Sequence, residues 1–243
     1  MKIALFADKE VGHAITKYLM EKYTEDLSLV VTVDKNEIFD LAVNLNIQTS
    51  IFELTDSFSS KFPKDIDLGI LAWWPYIIKE PLLTKPKNGF INTHPSYLPY
   101  NRGKHYNFWA IVEQCPFGVS IHRVEAGIDN GSIIVQKEIP YDWTDTGGTL
   151  YSKAQSAMVD LFCETYPLLR EGNYQSKPQN TGIGSYHHSS ELDKASNIHL
   201  DDVYCGRDLL NLLRARTFKG HPGCWFEEDG SRFEITIDIR RIE

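Results

Sequence analysis

Short apolar segments of strand length alternate with helical segments over the first 72 residues, and this pattern restricts the fold more than any other feature. Four segments are apolar and β-prone, as buried parallel strands are: residues 2–7, 27–33, 47–52 and 67–72. Residues 11–23 and 40–45 place apolar side chains at helical spacing between them. Such alternation of strands and helices is typical of a parallel sheet. The sequence therefore predicts an α/β fold with a doubly wound, mostly parallel sheet.

The turn after the first predicted strand argues against dinucleotide chemistry. It reads Ala7-Asp-Lys-Glu-Val-Gly12 and lacks the G-x-G-x-x-G spacing that lets a backbone approach a pyrophosphate. A nicotinamide- or flavin-dependent dehydrogenase is therefore disfavoured. The sheet is still expected to be Rossmann-like, because a fold does not fix a function.

Charge and composition exclude further classes. The chain has 243 residues and a formal net charge of −8, whereas proteins that bind nucleic acid without specificity carry basic surfaces. The apolar run at residues 68–74 is far shorter than the roughly 20 residues that span a bilayer, and the N-terminus does not resemble a signal peptide. Four cysteines stand alone, without a C-x-x-C pair. We expect a cytoplasmic protein with no nucleic-acid partner, no membrane attachment and no metal.

The rest of the chain divides into three predicted parts. Residues 1–172 are expected to form the main domain, which ends in a long helix at 148–171. Residues 173–190 are poor in apolar side chains and are predicted to be a linker or mobile loop. Residues 191–243 are predicted to form a small C-terminal region with a helix and a β-hairpin. The hairpin turn is placed at Asp229-Gly230, a pair that tolerates positive φ.

Three polar residues stand where a sheet of this kind binds its ligands. Asn92 and His94 lie two apart at the end of a predicted strand, so their side chains share one face. Asp129 follows in Gly127-Ile-Asp-Asn-Gly131, between two predicted strands at 116–125 and 132–139. A carboxylate beside His94 would orient the imidazole and stabilise its charged form. Taken singly, each is more often a hydrogen-bonding residue at a turn than a catalyst.

The order and spacing of two segments favour the catalytic interpretation. Residues Asn92-x-His94-x-Ser96-x-Leu98-Pro99-x-x-Arg102-Gly103, with Gly127-x-Asp129-x-Gly131 after them, resemble the signature of the folate-dependent formyltransferases. That family includes methionyl-tRNA formyltransferase, glycinamide ribonucleotide formyltransferase and the sugar-nucleotide N-formyltransferases. The resemblance covers residues 67–148. It implies a Rossmann-like formyltransferase domain, N10-formyltetrahydrofolate as co-substrate, and Asn92, His94 and Asp129 as the catalytic trio.

The resemblance also implies how the reactants are handled. Asn92 or protonated His94 would donate a hydrogen bond to the oxyanion formed when an amine attacks the formyl carbon. His94, or a water held by Asp129, would collect the amine proton. The residues expected to border the folate are Trp74, Tyr76, Ile78, Val124, Gly127 and Asp129. Simple core packing is an equal alternative for Trp73 and Trp74.

The acceptor is expected to be an amino sugar carried on dTDP. The segments at 102–109 and 206–225 look most like bacterial sugar N-formyltransferases, which act on dTDP-linked amino sugars on the way to O-antigen and lipopolysaccharide. The residues expected to contact this substrate are Arg102, Lys104, His105 and Asn107. We expect dTDP-4-amino-4,6-dideoxyglucose. A dTDP-3-amino-3,6-dideoxy sugar, or a non-catalytic folate or nucleotide-sugar binding protein, is the alternative.

The C-terminal hairpin predicts an assembly. Its apolar residues stand in a short terminal element, and a lone hairpin is marginally stable in water. Related sugar formyltransferases resemble this chain in carrying such a hairpin at a subunit interface. We therefore expect a two-fold homodimer that forms through the hairpin.

Overall fold

A seven-stranded sheet forms the centre of the computed structural model, which describes residues 1–53 and 55–242. Its strands are β1 (Ile3–Ala7), β2 (Leu27–Thr32), β3 (Thr49–Ile51), β4 (Leu68–Ala72), β5 (Phe90–His94), β7 (Gly118–Arg123) and β8 (Ile133–Glu138). They lie in the order β3-β2-β1-β4-β5-β7-β8. Strands β1 to β5 pair in parallel and β7 runs antiparallel to β5. The predicted α/β fold with a doubly wound, mostly parallel sheet is confirmed.

Seven α-helices, two short strand pairs and two single-turn 3-10 helices (Thr24–Asp26 and Thr181–Ile183) complete the described elements. The helices are α1 (Lys9–Lys22), α2 (Glu37–Asn44), α3 (Asp56–Lys61), α4 (Tyr106–Val112), α5 (Gly147–Glu171), α6 (Glu191–Ala195) and α7 (Gly206–Arg216). The remaining strands are β6 (Arg102–Gly103), β9 (Tyr186–His187), β10 (Cys224–Glu228) and β11 (Ser231–Ile235). Helix α3 was not predicted, because its polar sequence has no apolar stripe. None of the helices in the described ranges is long and apolar enough to cross a membrane.

The described residues fall into two compact units, each built from separated parts of the chain. The first unit contains Met1–His94, Ser120–Val135 and Met158–Pro178. The second contains Pro95–Val119, Gln136–Ala157 and Gln179–Glu243. The division does not test the boundaries predicted at residues 172 and 190, which stay a prediction.

An aromatic cluster fills one side of the sheet in the first unit. Phe6 is fully buried, and its ring centroid lies 5.3 Å from that of Trp74 and 5.5 Å from that of Phe90. Gly69 on β4 makes room for Phe90, since a β-carbon there would overlap the Phe90 ring. Burying a phenylalanine contributes about 1.5–3 kcal/mol. This packing holds β1, β4 and β5 together directly beneath the carboxyl ends where polar residues emerge.

A buried carboxylate ties the end of α5 to the turn before β2. Asp26 is 1% exposed, and its Oδ2 accepts from the Tyr166 hydroxyl at 2.9 Å and from Arg170 Nε at 2.7 Å. Burial alone would raise the pKa of Asp26, but the hydrogen bonds from Arg170 and Tyr166, together with the hydrogen bond and charge of the Met1 amine, outweigh it, and the pKa is lowered. Asp26 therefore stabilises the fold as an anion.

Asp26→Asn is expected to lower the free energy of unfolding by about 2–3 kcal/mol at neutral pH, because hydrogen bonds to a charged group are lost. A lowered folded-state pKa gives stability that is complete above about pH 4, the unfolded-state pKa, and is lost as pH falls through the folded-state pKa. The difference between the wild type and the variant should therefore shrink in acid. Urea unfolding at several pH values measures it. Glu25→Gln is the matched control, since the exposed Glu25–Arg170 pair contributes about 1 kcal/mol or less.

The second unit carries the C-terminal elements. Strands β10 and β11 form the predicted antiparallel hairpin, with Asp229 and Gly230 both at positive φ in its turn. Its inner face packs on α7 through a small apolar cluster that includes Ile198, Leu213 and Cys224. The helix plus hairpin predicted for this region is thus confirmed as a structure.

Candidate active site

Asn92 and His94 leave the end of β5 on the same face of the sheet. His94 is 5% exposed and Asn92 is half-buried. Thr93 points to the other face, where its hydroxyl donates to Leu71 O at 3.1 Å and accepts from Trp73 N at 3.0 Å. The threonine therefore fixes the ends of β4 and β5 against each other. Both catalytic candidates are consequently held by sheet backbone rather than by a loop.

Asp129 is presented by the connection between β7 and β8. The base of this connection is closed where Arg123 N donates to Ser132 O at 2.9 Å, and where the Ser132 hydroxyl donates to Glu125 at 3.1 Å. Asp129 has a φ of 50°, a left-handed conformation that aspartate tolerates better than most residues. Gly127 has a φ of 102°, a backbone conformation that residues with a side chain rarely adopt.

The three side chains meet. His94 Nδ1 lies 3.5 Å from Asp129 Oδ2, and Asn92 Nδ2 lies 3.4 Å from Asp129 Oδ1. The Asp129 side chain is 14% exposed, so little water screens these contacts. The structure therefore brings the predicted trio together within the first unit. These distances are long for hydrogen bonds, as is common for catalytic groups without their reactants.

A second histidine, which the sequence analysis missed, joins the trio. His122 Nε2 lies 3.3 Å from Asn92 Nδ2 and 3.6 Å from Asp129 Oδ1. Its Nδ1 lies 2.8 Å from Arg123 O and so must carry a proton, which leaves Nε2 of the neutral ring to accept from the Asn92 amide. The sequence predicted the strand at 116–125 that carries His122, but it did not show that His122 would face Asn92. Only the antiparallel register, which sets His122 opposite Asn92, reveals the contact.

This arrangement can serve a reaction in which an oxygen gains negative charge and a nitrogen loses a proton. A proton on His94 Nδ1 faces Asp129, which leaves Nε2 of the neutral ring as a base. The Asn92 amide can turn one N–H toward an oxyanion, since its present contacts are long and weak. Among the described residues, no group of histidines, cysteines and carboxylates has the geometry to hold a metal ion.

The residues predicted to border a folate lie in the same unit, with different exposures. Trp74, Ile78 and Val124 all pack in or against one apolar cluster, where Ile78 is 5% exposed. Tyr76 is 39% exposed and stacks on Phe52, with ring centroids 5.6 Å apart. Core packing thus explains the position of most of the Trp74 side chain. Its indole Nε1 is nevertheless buried without a hydrogen-bond partner in the described part of the chain.

The residues predicted to bind the acceptor belong to the second unit. Lys104 is exposed, whereas Arg102 Nε donates to Ser185 O at 3.3 Å. Asn107 is buried, and its amide donates to Gly147 O at 2.8 Å. His105 is half-buried at φ 59°, and its pKa is lowered by burial and then by the nearby Arg216 and Lys104 charges. Asn107 therefore has a structural contact, while Lys104 is the cation most open to solvent.

Two family models match the chain. The formyl transferase model matches residues 53–165, which include the trio, and the N-formyltransferase dimerization C-terminal domain matches residues 191–241. Methionyl-tRNA formyltransferase of Geobacillus thermodenitrificans is 34% identical over 70% of this chain and 52% of its own length. The dTDP-4-amino-4,6-dideoxyglucose formyltransferase of Mycobacterium bovis is 28% identical over 58% of this chain and 60% of its own length.

A solved structure extends the likeness to nearly the whole chain. The N-formyltransferase of Helicobacter canadensis superposes with a TM-score of 0.77, covers 95% of this chain and 85% of its own, and is 20% identical. At that identity the likeness shows the fold alone. The chain spans little more than half the length of the two curated relatives. Residues 53–165, which carry the trio, therefore belong to a formyl transferase domain, and residues 191–241 belong to an N-formyltransferase dimerization C-terminal domain.

Proposed function

We propose that this protein transfers a formyl group from N10-formyltetrahydrofolate to the amine of a dTDP-linked amino-dideoxy sugar. The proposal rests on the cluster of Asn92, His94 and Asp129. The Asp129 carboxylate links the other two residues, since its oxygens lie 3.4 Å from Asn92 Nδ2 and 3.5 Å from His94 Nδ1. The cluster stands at the carboxyl end of β5, within the residues that match the formyl transferase model. A protein that only binds its ligands has no need of an aligned amide, imidazole and carboxylate.

Each side chain has a separate role in the proposed reaction. Asn92 donates to the formyl oxygen, on which negative charge develops as the acceptor nitrogen bonds to the formyl carbon. His94 Nε2 takes the proton that this nitrogen loses, and Asp129 fixes the ring through Nδ1. The bond from the formyl carbon to N10 then breaks, and the proton held by His94 is available to the departing nitrogen. Formyl and proton are exchanged between two nitrogens, so no oxidant or metal is needed.

The first unit offers surfaces suited to a folate. A pterin requires apolar contacts on its faces and a few hydrogen-bonding groups at its edges. Two exposed apolar side chains lie in the same unit as the trio. Ile77 is 56% exposed and Ile128 is 38% exposed. The buried Trp74 Nε1 supplies a donor that lacks a partner in the described chain. The residues proposed to hold the co-substrate are Trp74, Tyr76, Ile78, Val124, Gly127 and Asp129. The N-formyltransferase of Helicobacter canadensis was solved with folinic acid.

Two observations favour a nucleotide sugar over tRNA as the acceptor. The C-terminal match at residues 191–241 is to an N-formyltransferase dimerization domain, and the net charge of −8 opposes binding to a phosphate backbone. The Mycobacterium bovis relative is named for a 4-amino sugar, whereas the Helicobacter canadensis structure contains dTDP-3-aminofucose. We propose dTDP-4-amino-4,6-dideoxyglucose, with the 3-amino-3,6-dideoxy isomer as the alternative.

Several expectations belong to the same proposal. The chain is divided into a catalytic domain at 1–172, a linker at 173–190 and a C-terminal region at 191–243. The nucleotide sugar is contacted by Arg102, Lys104, His105 and Asn107. The protein is cytoplasmic and acts in O-antigen synthesis. A homodimer is proposed because the C-terminal match is to a dimerization domain. Light scattering at micromolar concentration measures the mass of the assembly.

The function is tested by comparing four acceptors with N10-formyltetrahydrofolate under identical conditions. These are dTDP-4-amino-4,6-dideoxyglucose, its 3-amino isomer, glycinamide ribonucleotide and charged initiator tRNA. We expect the first sugar to be formylated fastest. The free amino sugar should react poorly even at high concentration, because binding of the remote nucleotide positions the amine.

Each result has a distinct meaning. Faster formylation of the ribonucleotide or the tRNA than of both sugars would overturn the acceptor class. Preference for the 3-amino isomer would overturn only the position of the amine. Binding of folate and nucleotide sugar with no turnover of any acceptor would support the non-catalytic alternative.

A further inference from the structure

A cavity of about 270 Å³ opens in the first unit, at the amino-terminal ends of the central strands. Leu68 begins β4, while Met1 and Asn88 come shortly before β1 and β5. Leu68 and Leu169 give the cavity a buried apolar wall. The catalytic trio lies at the opposite, carboxyl end of β5. Pockets for drug-sized ligands measure about 300–1,000 Å³, so this cavity suits a smaller molecule.

Arg123 is the charged side chain of this cavity. It is half-buried, and its Nη1 donates to Asn88 O and its Nη2 to the Tyr174 hydroxyl, both at 3.0 Å. In the part of the chain that the structure describes, the lining includes no aspartate or glutamate. The Met1 amine also lies there, but it pairs with Asp26 Oδ1 at 3.2 Å. Arg123 therefore gives the cavity a positive charge that no lining carboxylate balances.

Three neutral side chains add hydrogen-bond donors to that charge. The two bonds of Arg123 leave three of its five N–H groups for a ligand. The Tyr174 oxygen accepts from Arg123, so its own proton can be donated elsewhere. Asn88 and Ser176 line the same cavity with an amide and a hydroxyl. These donors exceed the about four lone-pair positions of one carboxylate, and they favour the three strongly accepting oxygens of a phosphate.

The donors are held in place before any ligand arrives. Residues 174–177 run beside β8, where Ile133 and Lys177 exchange two backbone hydrogen bonds of 2.8 Å. This pairing fixes the backbone that carries Tyr174 and Ser176. The Arg123 guanidinium carbon lies 5.7 Å from the centroid of the Tyr174 ring, an attractive arrangement of a cation and an aromatic face. Less conformational entropy is therefore lost when an anion binds.

Strand β7 separates this cavity from the catalytic trio. Side chains alternate along a strand, so His122 turns to Asn92 on one face while Arg123 lines the cavity on the other. As the described residues define it, the cavity has none of the residues proposed to hold the folate or the nucleotide sugar in its lining. A molecule bound there leaves both reactant sites open.

We propose that this cavity binds a phosphate group, either as the free ion or on a small organic molecule. Arg123 is the charged contact, and Tyr174, Ser176 and Asn88 donate hydrogen bonds to the remaining oxygens. In a chain with a net charge of −8, a cationic cavity without acidic side chains is a place where an anion concentrates. The carbon part of an organic phosphate would pack on Leu68 and Leu169. This binding goes beyond the proposed function and does not depend on it.

An NMR titration that follows the Tyr174 backbone amide tests the site without any reactant. The probes are inorganic phosphate, glycerol 3-phosphate and succinate, at constant ionic strength because salt screens exposed charges. We expect a saturable shift with a Kd on the order of 1 mM or tighter for at least one phosphate, and binding of succinate at least about tenfold weaker. Arg123→Gln should raise the Kd about tenfold or more, the scale of a hydrogen bond to a charged group.

Two further variants separate binding from folding. Tyr174→Phe keeps the ring beside the guanidinium and removes only the hydroxyl, so the Kd should rise about three- to tenfold. Arg232→Gln is the matched control, because this exposed arginine pairs with Glu227 in the second unit and should leave the Kd unchanged. If Arg123→Gln does not fold, Tyr174→Phe decides the matter.

The outcomes distinguish the ligands and the site. Equal Kd values for the two phosphates would support the free ion as a sufficient ligand, and tighter binding of glycerol 3-phosphate would support an organic phosphate. Succinate that binds as tightly as either phosphate would overturn the assignment to phosphate. No saturable shift up to about 10 mM, or a Kd that neither Arg123→Gln nor Tyr174→Phe changes, would refute the site. The expected titration in a protein that formylates no acceptor would retain the site and refute the proposed function.

Discussion

His94→Asn is expected to lower kcat by about 100-fold or more, the usual loss when a positioned acid–base group is removed. His94 is 5% exposed, and asparagine is small enough to fit and can still hydrogen-bond to Asp129. The variant therefore removes the basic ring nitrogen while it keeps a polar contact. KM for both substrates should change little, because proton transfer occurs only in the transition state.

The measurement is single-turnover formylation of the best acceptor, which separates chemistry from product release. His199→Asn is the matched control, since His199 is exposed and lies outside the site. Its rate should equal that of the wild type. A loss of less than about fivefold in His94→Asn would show that His94 is not the base, and would leave a water held by Asp129 for that task.

The pH dependence of kcat/KM is a second test of His94 as the base. The attacking amine must be neutral and His94 must be able to accept its proton, so kcat/KM of the wild type should fall on the acid side. A flat profile from about pH 5.5 to about pH 9, measured with chemistry rate-limiting, would contradict His94 as a base. In the His94→Asn variant, kcat/KM should fall in acid only because the attacking amine of the acceptor becomes protonated.

The sheet and the hairpin could be predicted from sequence because local patterns encode them. Strands β1 and β4 are buried at every position, so each reads as a continuous apolar run. The Asp229-Gly230 turn is marked by the residues that its backbone requires. The proximity of Asn92 and His94 follows from the two-residue period of a strand. In each case the signal lies within a few residues of the feature.

Contacts between distant residues gave no such signal. His122 meets Asn92 only because β7 runs antiparallel to β5 in one register, and a shift of one residue would turn His122 to the other face. The two carboxylates that contact the His187 ring lie 74 residues back, at Glu113 just after the end of α4, and 4 residues on, at Glu191 in α6. Residues 184–190 looked like a loop because they carry few apolar side chains, and their backbone pairing with residues 102–104 leaves no local pattern in the sequence.

The second large effect is expected at Asn92. Asn92→Ala should lower kcat by about 100- to 1000-fold, the range found when one oxyanion donor is removed. The Asn92 amide nitrogen is held between His122 Nε2 and Asp129 Oδ1 at 3.3 and 3.4 Å, contacts weak enough for one N–H to turn toward a developing charge. Acceptor KM should stay close to that of the wild type. Loss of binding with unchanged kcat would show that Asn92 holds the ground state instead.

His122→Phe tests how the Asn92 donor is aimed. Phenylalanine keeps a buried ring but removes the acceptor for the Asn92 amide, so we expect kcat to fall about tenfold while KM is kept. If His122 acts through Asn92, the double variant should be no slower than Asn92→Ala, because the residue it orients is already gone. Losses that multiply in the double variant would instead give His122 its own contact with the reactants. In that case the 3.6 Å approach of His122 Nε2 to Asp129 would be the route to examine, because it links the second histidine to the carboxylate that also orients His94.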